Sequence, residues 1–135
     1  MTTSDLGFAL DRTYAAAPER VYAHFTEPDL MALWFCPNPA LATTCRLDVR
    51  AGGAWRVEMG DWVVSGTFLE VEPPRRLVFT FEWEHDDDGP TTVTVSITPE
   101  GDGSRLVLAH EEAAADGGHQ EGWELSLARL GQALG

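Results

Sequence analysis

Residues 77–83 read Leu-Val-Phe-Thr-Phe-Glu-Trp and residues 91–98 read Thr-Thr-Val-Thr-Val-Ser-Ile-Thr, and this pair of stretches decides the fold. In both, a large apolar side chain returns at every second position, a period of two that indicates a β-strand with one buried face. The apolar positions are Leu77, Phe79, Phe81 and Trp83 in the first stretch and Val93, Val95 and Ile97 in the second. Because only residues 84–90 separate the two stretches, we predict an antiparallel pair joined by a turn.

The same alternation continues on both sides of this pair. Short runs rich in Gly and Pro interrupt it at residues 51–53, 73–76 and 99–104, and these residue types favour turns. The strands predicted between the turns are 44–50, 54–60, 62–72, 77–84, 91–98 and 105–110, preceded by one more at 7–14. Strands joined by such short turns form an antiparallel meander, so we expect a sheet of about seven strands.

Helical periodicity is confined to two regions outside the meander. Pro18 and Pro28 stand where helices begin, and two short helices are predicted after the first strand, the second reaching Trp34. At the far end Trp123, Leu127, Leu130 and Leu134 recur at steps of four, three and four, which indicates one apolar stripe on a long helix. Because this helix is the only element long enough to cover the apolar face of the sheet, we predict one α+β domain, 1–135, with a curved sheet around it.

Charge and composition exclude several functions. The chain of 135 residues carries 9 Lys+Arg, all of them Arg, against 22 Asp+Glu, a net charge of −13. This charge repels nucleic-acid phosphates and anionic membrane surfaces, so we expect neither as a partner. The sequence contains no secretory signal or membrane span, which predicts a soluble cytoplasmic protein. Cys36 and Cys45 are expected to be reduced thiols, with a disulfide as the alternative.

Short landmarks along the chain resemble the activator of heat-shock-protein-90 ATPase homologue-like family. That family is part of the START-like, or SRPBCC (birch-pollen-allergen-like), helix-grip superfamily. The landmarks are Ala17–Tyr22, Trp34-Phe35, Gly52-Gly53, Gly66–Phe79, Thr92–Val95, Gly103–Leu106, His110-Glu111, Gly122-Trp123, Leu127 and Leu130. The resemblance covers nearly the whole chain and implies a helix-grip fold, in which a curved antiparallel sheet wraps around the C-terminal helix. One fold hosts many functions, so it leaves the activity open.

On that fold the inward-facing aromatic residues suggest a site for an apolar or aromatic small molecule, between the sheet and the C-terminal helix. Core packing explains any one of these rings, but their number favours a pocket, which a large side chain at Gly66 is expected to fill. The predicted ligand-binding residues are Tyr14, Trp34, Trp55, Trp62, Phe79, Phe81, Trp83, His110 and Trp123. The unidentified hydrophobic molecule is the expected partner, and an exposed edge strand would be compatible with a homodimer.

Two alternatives remain open. The first is a co-chaperone-like interaction module, although only the C-terminal domain of the co-chaperone that names the family is resembled, which argues against a chaperone partner. The second is a cyclase or aromatase-type enzyme, in which His110 or Tyr14 would act as general acid or base. The structural interpretation of His110 is a core histidine bonded to a backbone carbonyl. Tyr14 is also a candidate polar contact at the mouth of the pocket.

No cofactor motif, metal site or catalytic set is predicted from the remaining polar residues. The acidic run at Glu84 and residues 86–88 lacks the spacing of a calcium loop, so a solvated turn is expected. Arg12, Arg46 and Arg56 are candidate polar contacts at the mouth of the pocket, for which structural ion pairs are the alternative interpretation.

Overall fold

The computed structural model of the chain describes residues 7–38, 40–84, 90–111 and 119–134. These residues form one seven-stranded antiparallel sheet with the order β1-β7-β6-β5-β4-β3-β2. The strands are β1 Gly7–Tyr14, β2 Thr43–Leu47, β3 Ala54–Met59, β4 Trp62–Glu72, β5 Arg76–Trp83, β6 Thr91–Glu100 and β7 Gly103–Glu111. Consecutive strands from β2 to β7 are neighbours, and β1 joins the sheet beside β7. The predicted meander is therefore confirmed.

Three helices complete the domain, namely α1 Pro18–Thr26, α2 Pro28–Met31 and α3 His119–Leu134. Pro18 and Pro28 occupy the first turns of α1 and α2, where a missing N–H costs no hydrogen bond. The α2 helix is shorter than predicted. It ends at Met31, and Trp34 lies in the turn that follows.

The core lies between the sheet and α3. All four residues of the predicted helical stripe are buried: Trp123, Leu127, Leu130 and Leu134 have exposed fractions of 5% or less. The alternating positions of β5, β6 and β7 supply the other side of the core through Leu77, Phe79, Phe81, Val93, Val95, Ile97, Leu106 and Leu108. The α+β helix-grip architecture with a curved sheet is thus confirmed, and the alternation identified its core face correctly.

Strand ends differ from the prediction where hairpins are tighter or looser than the sequence suggested. Two-residue turns at Gly60-Asp61 and Gly101-Asp102 join β3 to β4 and β6 to β7. Each glycine has a positive φ, 62° and 58° respectively, which such turns require and other residues rarely adopt. In contrast, β2 ends at Leu47, because Arg50 N–H turns back to the Asp48 carbonyl and begins a longer loop.

Side chains of α3 hold the segment after α2 in place. Ser126 Oγ donates to the Phe35 carbonyl over 2.7 Å, and the Arg129 guanidinium donates to the carbonyls of Cys36 and Leu33. Carbonyls just beyond a helix have no partners within it, so these bonds supply the hydrogen bonds that the helix does not. The contact fixes Phe35 and Trp34 against the core.

Candidate functional site

Six aromatic side chains on the core face form a connected group, which we call the aromatic array. Its members are Trp55 on β3, Trp62 on β4, Phe79, Phe81 and Trp83 on β5, and Trp123 on α3. Strand pairing brings them together, because Trp83 lies opposite Val64, two residues beyond Trp62 on the same face. The helix contributes the last ring because Trp123, in the first turns of α3, lies beside Phe81 of β5.

The rings of the aromatic array contact one another mainly edge to face, the arrangement that the aromatic quadrupole favours. Trp55 lies 5.4 Å from Phe79 and 6.0 Å from Phe81 between ring centroids. Phe81 is also 5.5 Å from Trp83 and 5.9 Å from Trp123, and Trp83 is 6.3 Å from Trp62. The array is therefore a continuous path of rings across three strands and one helix.

Exposure rises along this path towards one edge of the sheet. Trp55 and Phe79 are each 2% exposed, Trp83 is half-buried, and Trp62 is 52% exposed. Atoms that line a water-sized cavity count as exposed to a water molecule inside it. Because Trp55 and Phe79 have exposed fractions of only 2%, these two side chains line no open cavity. The accessible end of the array lies at the end of the sheet where β5 finishes and β4 begins. We call this end of the sheet the Trp62 edge; it is not one of the outermost strands, which are β1 and β2.

The predicted burial of Trp62 is wrong, although its predicted face is correct. Trp62 pairs with Met59, which is 3% exposed, and paired side chains of an antiparallel sheet point to the same side. Trp62 follows the two-residue turn directly, so it occupies the last pair of the hairpin, at the margin of the sheet. Alternation determines the face of a strand residue but not its distance from the edge.

His110 is fully buried beside the aromatic array and is hydrogen-bonded through both ring nitrogens. Trp123 Nε1–H donates to His110 Nδ1 over 3.1 Å, so Nδ1 carries no proton and Nε2–H donates to Thr91 Oγ1 over 2.6 Å. The Thr91 hydroxyl in turn donates to the Phe81 carbonyl over 3.1 Å. This chain assigns a neutral tautomer and ties α3 to β5, β6 and β7.

In this arrangement both proposed acid–base residues are hydrogen-bonded within the fold. Both nitrogens of His110 are engaged, and a general base needs a free lone pair within reach of substrate. The Tyr14 hydroxyl donates a hydrogen bond of 2.9 Å to the Leu127 carbonyl, and burial raises the pKa of Tyr14 to about 12. These contacts favour a structural role for both residues.

Tyr14 and Trp34 lie apart from the aromatic array. Tyr14 ends β1 at the edge of the sheet opposite Trp62, where it pairs with Ser104. Trp34 is fully buried, and its Nε1–H donates to the His24 carbonyl over 2.8 Å. The ring centroid of Trp34 lies 4.7 Å from that of Phe25 and 5.7 Å from that of Phe35. Trp34 therefore packs α1 against the segment after α2.

Gly66 has no room for a side chain, so the expectation that a large residue there would fill a pocket is wrong. A β-carbon at Gly66 would lie 1.9 Å from the Thr80 carbonyl oxygen and 2.6 Å from Trp55 Nε1. Gly66 pairs with Trp55, whose indole covers it and donates to the Thr80 carbonyl over 2.9 Å. The glycine is thus a packing requirement, since a neighbouring aromatic ring replaces the missing side chain.

The three candidate arginines do not converge on the aromatic array. Arg56 lies on the outer face of the sheet, where it binds Glu84 over 2.9 Å and Glu58 over 3.0 Å. These bonds raise the pKa of Arg56, with Glu84 as the larger cause, and hold the pKa of Glu84 below its usual value. Arg46 is exposed and lies opposite Arg56 in the register of β2 and β3. The Arg12 guanidinium donates a hydrogen bond to the Asp11 carbonyl. For Arg56, the ion-pair interpretation is the one the structure supports.

The part of the chain that the structure describes contains no cluster of metal-ligating side chains and no disulfide. There, no three His, Cys, Asp or Glu side chains lie close enough to hold a metal ion, and residues 86–88 lie outside the described residues. Cys36 and Cys45 are free thiols, and burial raises the pKa of Cys45 to about 12. None of the described helices has the length and apolar character of a membrane span.

Two further residues at the site were not identified from the sequence. The ring centroid of Phe35 lies 6.1 Å from that of Trp55 and 5.6 Å from that of Trp123. Phe35 was noted only as part of the Trp34-Phe35 landmark, because no periodicity in that segment marks it as a core or site residue. Thr91 had a signal, because it continues the inward alternation of Val93 and Val95, but its hydrogen bond to His110 depends on the pairing of β6 with β7.

Comparison with known proteins places this arrangement in a family. The family model for Activator of Hsp90 ATPase homolog 1-like protein matches residues 15–135. Comparison with curated proteins gave no match.

Solved structures share the whole fold. Protein CV1439 from Chromobacterium violaceum is 28% identical, with a TM-score of 0.84, and the match covers 95% of this chain and 96% of that one. Protein NE0264 from Nitrosomonas europaea is 27% identical, also with a TM-score of 0.84, over 97% of this chain and 95% of that one. A protein from Rhodobacter sphaeroides is 26% identical with a TM-score of 0.86, over 97% and 93% respectively.

Proposed function

The chain belongs to the family of Activator of Hsp90 ATPase homolog 1-like proteins, and from that premise we propose that it binds an apolar, aromatic small molecule. The ligand lies against the aromatic array where the array reaches the Trp62 edge, beside α3. One observation carries the proposal: a path of contacting rings runs from the buried Trp55 to Trp62, which is 52% exposed.

An exposed tryptophan at the end of a buried aromatic path supports binding better than packing alone. A tryptophan that only filled the core would bury most of its large apolar surface, as Trp55 and Trp123 do. Trp62 leaves half of its surface in water, and a planar ligand against it and Trp83 recovers that loss. At the interior end of the path Trp55 and Phe79 are fully packed, so they leave no room for a ligand. In this proposal they hold the outer rings in place.

The buried polar chain at His110 supports the same site by fixing the geometry of the rings. Trp123, His110 and Thr91 hold one another through hydrogen bonds of 3.1 Å and 2.6 Å, and Phe81 lies 5.0 Å from the His110 ring. A site whose side chains are already ordered loses little conformational freedom when ligand binds. In this proposal His110 positions aromatic side chains and transfers no proton.

Calorimetric melting with a neutral flat ligand, 2-naphthylmethanol, tests the proposal. A ligand that binds only the folded chain stabilises it by about 2.7 kcal/mol at 100 times its Kd. For a domain of this size that raises Tm by several degrees. Cyclohexylmethanol, which is apolar but not aromatic, is expected to produce a clearly smaller shift.

A matched pair of variants on β4 localises the binding. Trp62→Ala is expected to remove most of the Tm shift caused by 2-naphthylmethanol, because it removes the exposed ring. Leu69→Ala is the control, since Leu69 is 47% exposed on the same strand and lies outside the aromatic array. If neither 2-naphthylmethanol nor its charged analogues raise Tm, the binding proposal is wrong. The interaction-module alternative then takes precedence, with the exposed Leu33 and Leu125 as its first contacts to examine.

A further inference from the structure

We propose that the Trp62 edge selects a positively charged aromatic ligand over a neutral or anionic ligand of the same shape. This inference rests on the proposed function, because a charge preference requires that the aromatic array binds a ligand at all. It follows from where the fold places the cations and carboxylates of the chain relative to the exposed tryptophan.

The Trp62 edge is lined by strand ends that carry carboxylates. Asp61 precedes Trp62 in the β3–β4 turn, and Glu84 follows Trp83, with its backbone N–H bonded to the Val63 carbonyl over 2.9 Å. Glu111 ends β7 at the same edge, because it pairs with Thr92 near the start of β6. Asp61 and Glu111 are exposed, so their field reaches an approaching ligand, whereas the Glu84 carboxylate is bound to Arg56 on the outer face of the sheet.

The cations of the chain lie away from this edge or are neutralised. All nine are arginines, and all nine fall in the part of the chain that the structure describes. The arginine nearest to Trp62 along the sheet is Arg56, which is bound by Glu84 and Glu58 on the outer face. Arg46 pairs with Arg56 on that same face, three residues from the start of β2. The other seven are Arg12, Arg20, Arg50, Arg75, Arg76, Arg105 and Arg129, in β1, in helices α1 and α3, or at the opposite edge of the sheet.

The exposed ring itself favours a cation. The face of an indole carries negative partial charge, and tryptophan is the strongest of the aromatic side chains in binding cations over its face. Trp62 meets Trp83 at an interplanar angle of 77°, so the two indoles present a corner rather than a flat stack. A ligand with one aromatic ring and one ammonium group can therefore contact one indole through its ring and another through its charge.

Three probes with one ring system separate shape from charge: 2-naphthylmethylammonium, 2-naphthylmethanol and 2-naphthoate. Binding of each to the full chain is measured by calorimetric titration at about pH 7.5, where an unperturbed histidine is mostly neutral. At low ionic strength the cation is expected to bind about tenfold more tightly than the anion, with the neutral probe between them. Added salt should narrow this ratio, because it screens exposed charges.

Two matched turns provide the charge control. Asp61→Asn removes one carboxylate from the Gly60-Asp61 turn at the Trp62 edge, and Asp102→Asn removes one from the Gly101-Asp102 turn at the opposite edge. Both substitutions change the net charge equally and keep a residue that turns tolerate. The affinity for 2-naphthylmethylammonium is expected to fall about twofold to threefold in Asp61→Asn and to stay unchanged in Asp102→Asn.

The outcomes separate this inference from the proposed function. If the anion binds as tightly as the cation, or if both asparagine variants behave alike, the charge preference is wrong while aromatic binding stands. If no probe binds, both proposals fail. Cation binding that survives Trp62→Ala but not Asp61→Asn would also contradict the inference, since it would show charge attraction without the ring.

Discussion

Tyr14 and Tyr22, the two tyrosines of the chain, show how differently one residue type is used inside one fold. Burial raises the pKa of each to about 12, yet only Tyr14 has a partner for its hydroxyl, the Leu127 carbonyl at 2.9 Å. The hydroxyl of Tyr22 is buried without a hydrogen-bond partner in the described structure. Leaving a buried donor unpaired costs stability, whereas a bonded hydroxyl contributes to it.

Replacing each tyrosine with phenylalanine should therefore have opposite effects on the free energy of unfolding. Tyr14→Phe is expected to lower it by about 1 kcal/mol, because it removes a hydrogen bond between β1 and α3. Tyr22→Phe is expected to raise it by up to about 1 kcal/mol, because it removes a desolvated hydroxyl and keeps the ring. Urea denaturation measures both, with an unchanged m-value as the control for an intact transition. A loss of stability in Tyr22→Phe equal to that in Tyr14→Phe would contradict the assignment.

At the scale of elements, α3 is the piece on which the rest of the fold depends. Its buried stripe covers the core face of the sheet, while Ser126 and Arg129 bind the carbonyls after α2 and Trp123 bonds to His110. The helix therefore joins the sheet, the polar chain at the site and the segment that carries Phe35. Helices of this kind gain most of their stability from packing rather than from their own propensity.

Trp123→Ala is expected to lower the free energy of unfolding by about 3–5 kcal/mol, the range for deleting a large buried aromatic side chain. Leu125→Ala on the same helix is the control. Leu125 is 49% exposed, so its truncation should change stability by less than about 0.5 kcal/mol. Urea or thermal denaturation distinguishes the two, and a loss below about 1 kcal/mol for Trp123→Ala would contradict the role given to α3.

The whole molecule carries a net charge of −13 together with several acids that the fold keeps protonated. Burial raises the pKa of Tyr14, Tyr22 and Cys45 to about 12, from ordinary values of 10.0 for tyrosine and 9.0 for cysteine. In alkaline solution the folded chain therefore holds protons that the unfolded chain has already lost. Stability decreases with rising pH wherever the folded state binds more protons than the unfolded state.

We therefore expect the free energy of unfolding to decline as pH rises from about 9 to about 12, beginning with the range where unfolded cysteine and then unfolded tyrosine ionise. Equilibrium urea denaturation at several pH values across this window measures the decline. Tyr14→Phe should reduce its slope above about pH 10, because one of the linked groups is gone. A free energy of unfolding that stays constant across the window would contradict the burial of these groups.

Local pattern was sufficient to determine most of the fold. The alternation in residues 77–83 and 91–98 identified neighbouring strands and their buried face, and the stripe from Trp123 to Leu134 identified the helix that covers it. Strand ends were less predictable. Whether a hairpin closes in two residues, as at Gly101-Asp102, depends on the backbone conformation that neighbouring strands impose.

The sequence by itself determined which residues share a face, because side-chain direction repeats with the period of the backbone. It did not determine depth or partners, which depend on residues far apart in the chain. Only the tertiary structure decided that Trp62 is exposed at a sheet edge while Trp55 is buried, and that Trp55 covers Gly66. It alone placed Trp123 and Thr91 on the two nitrogens of His110, because those bonds exist only once a helix and two strands have packed together.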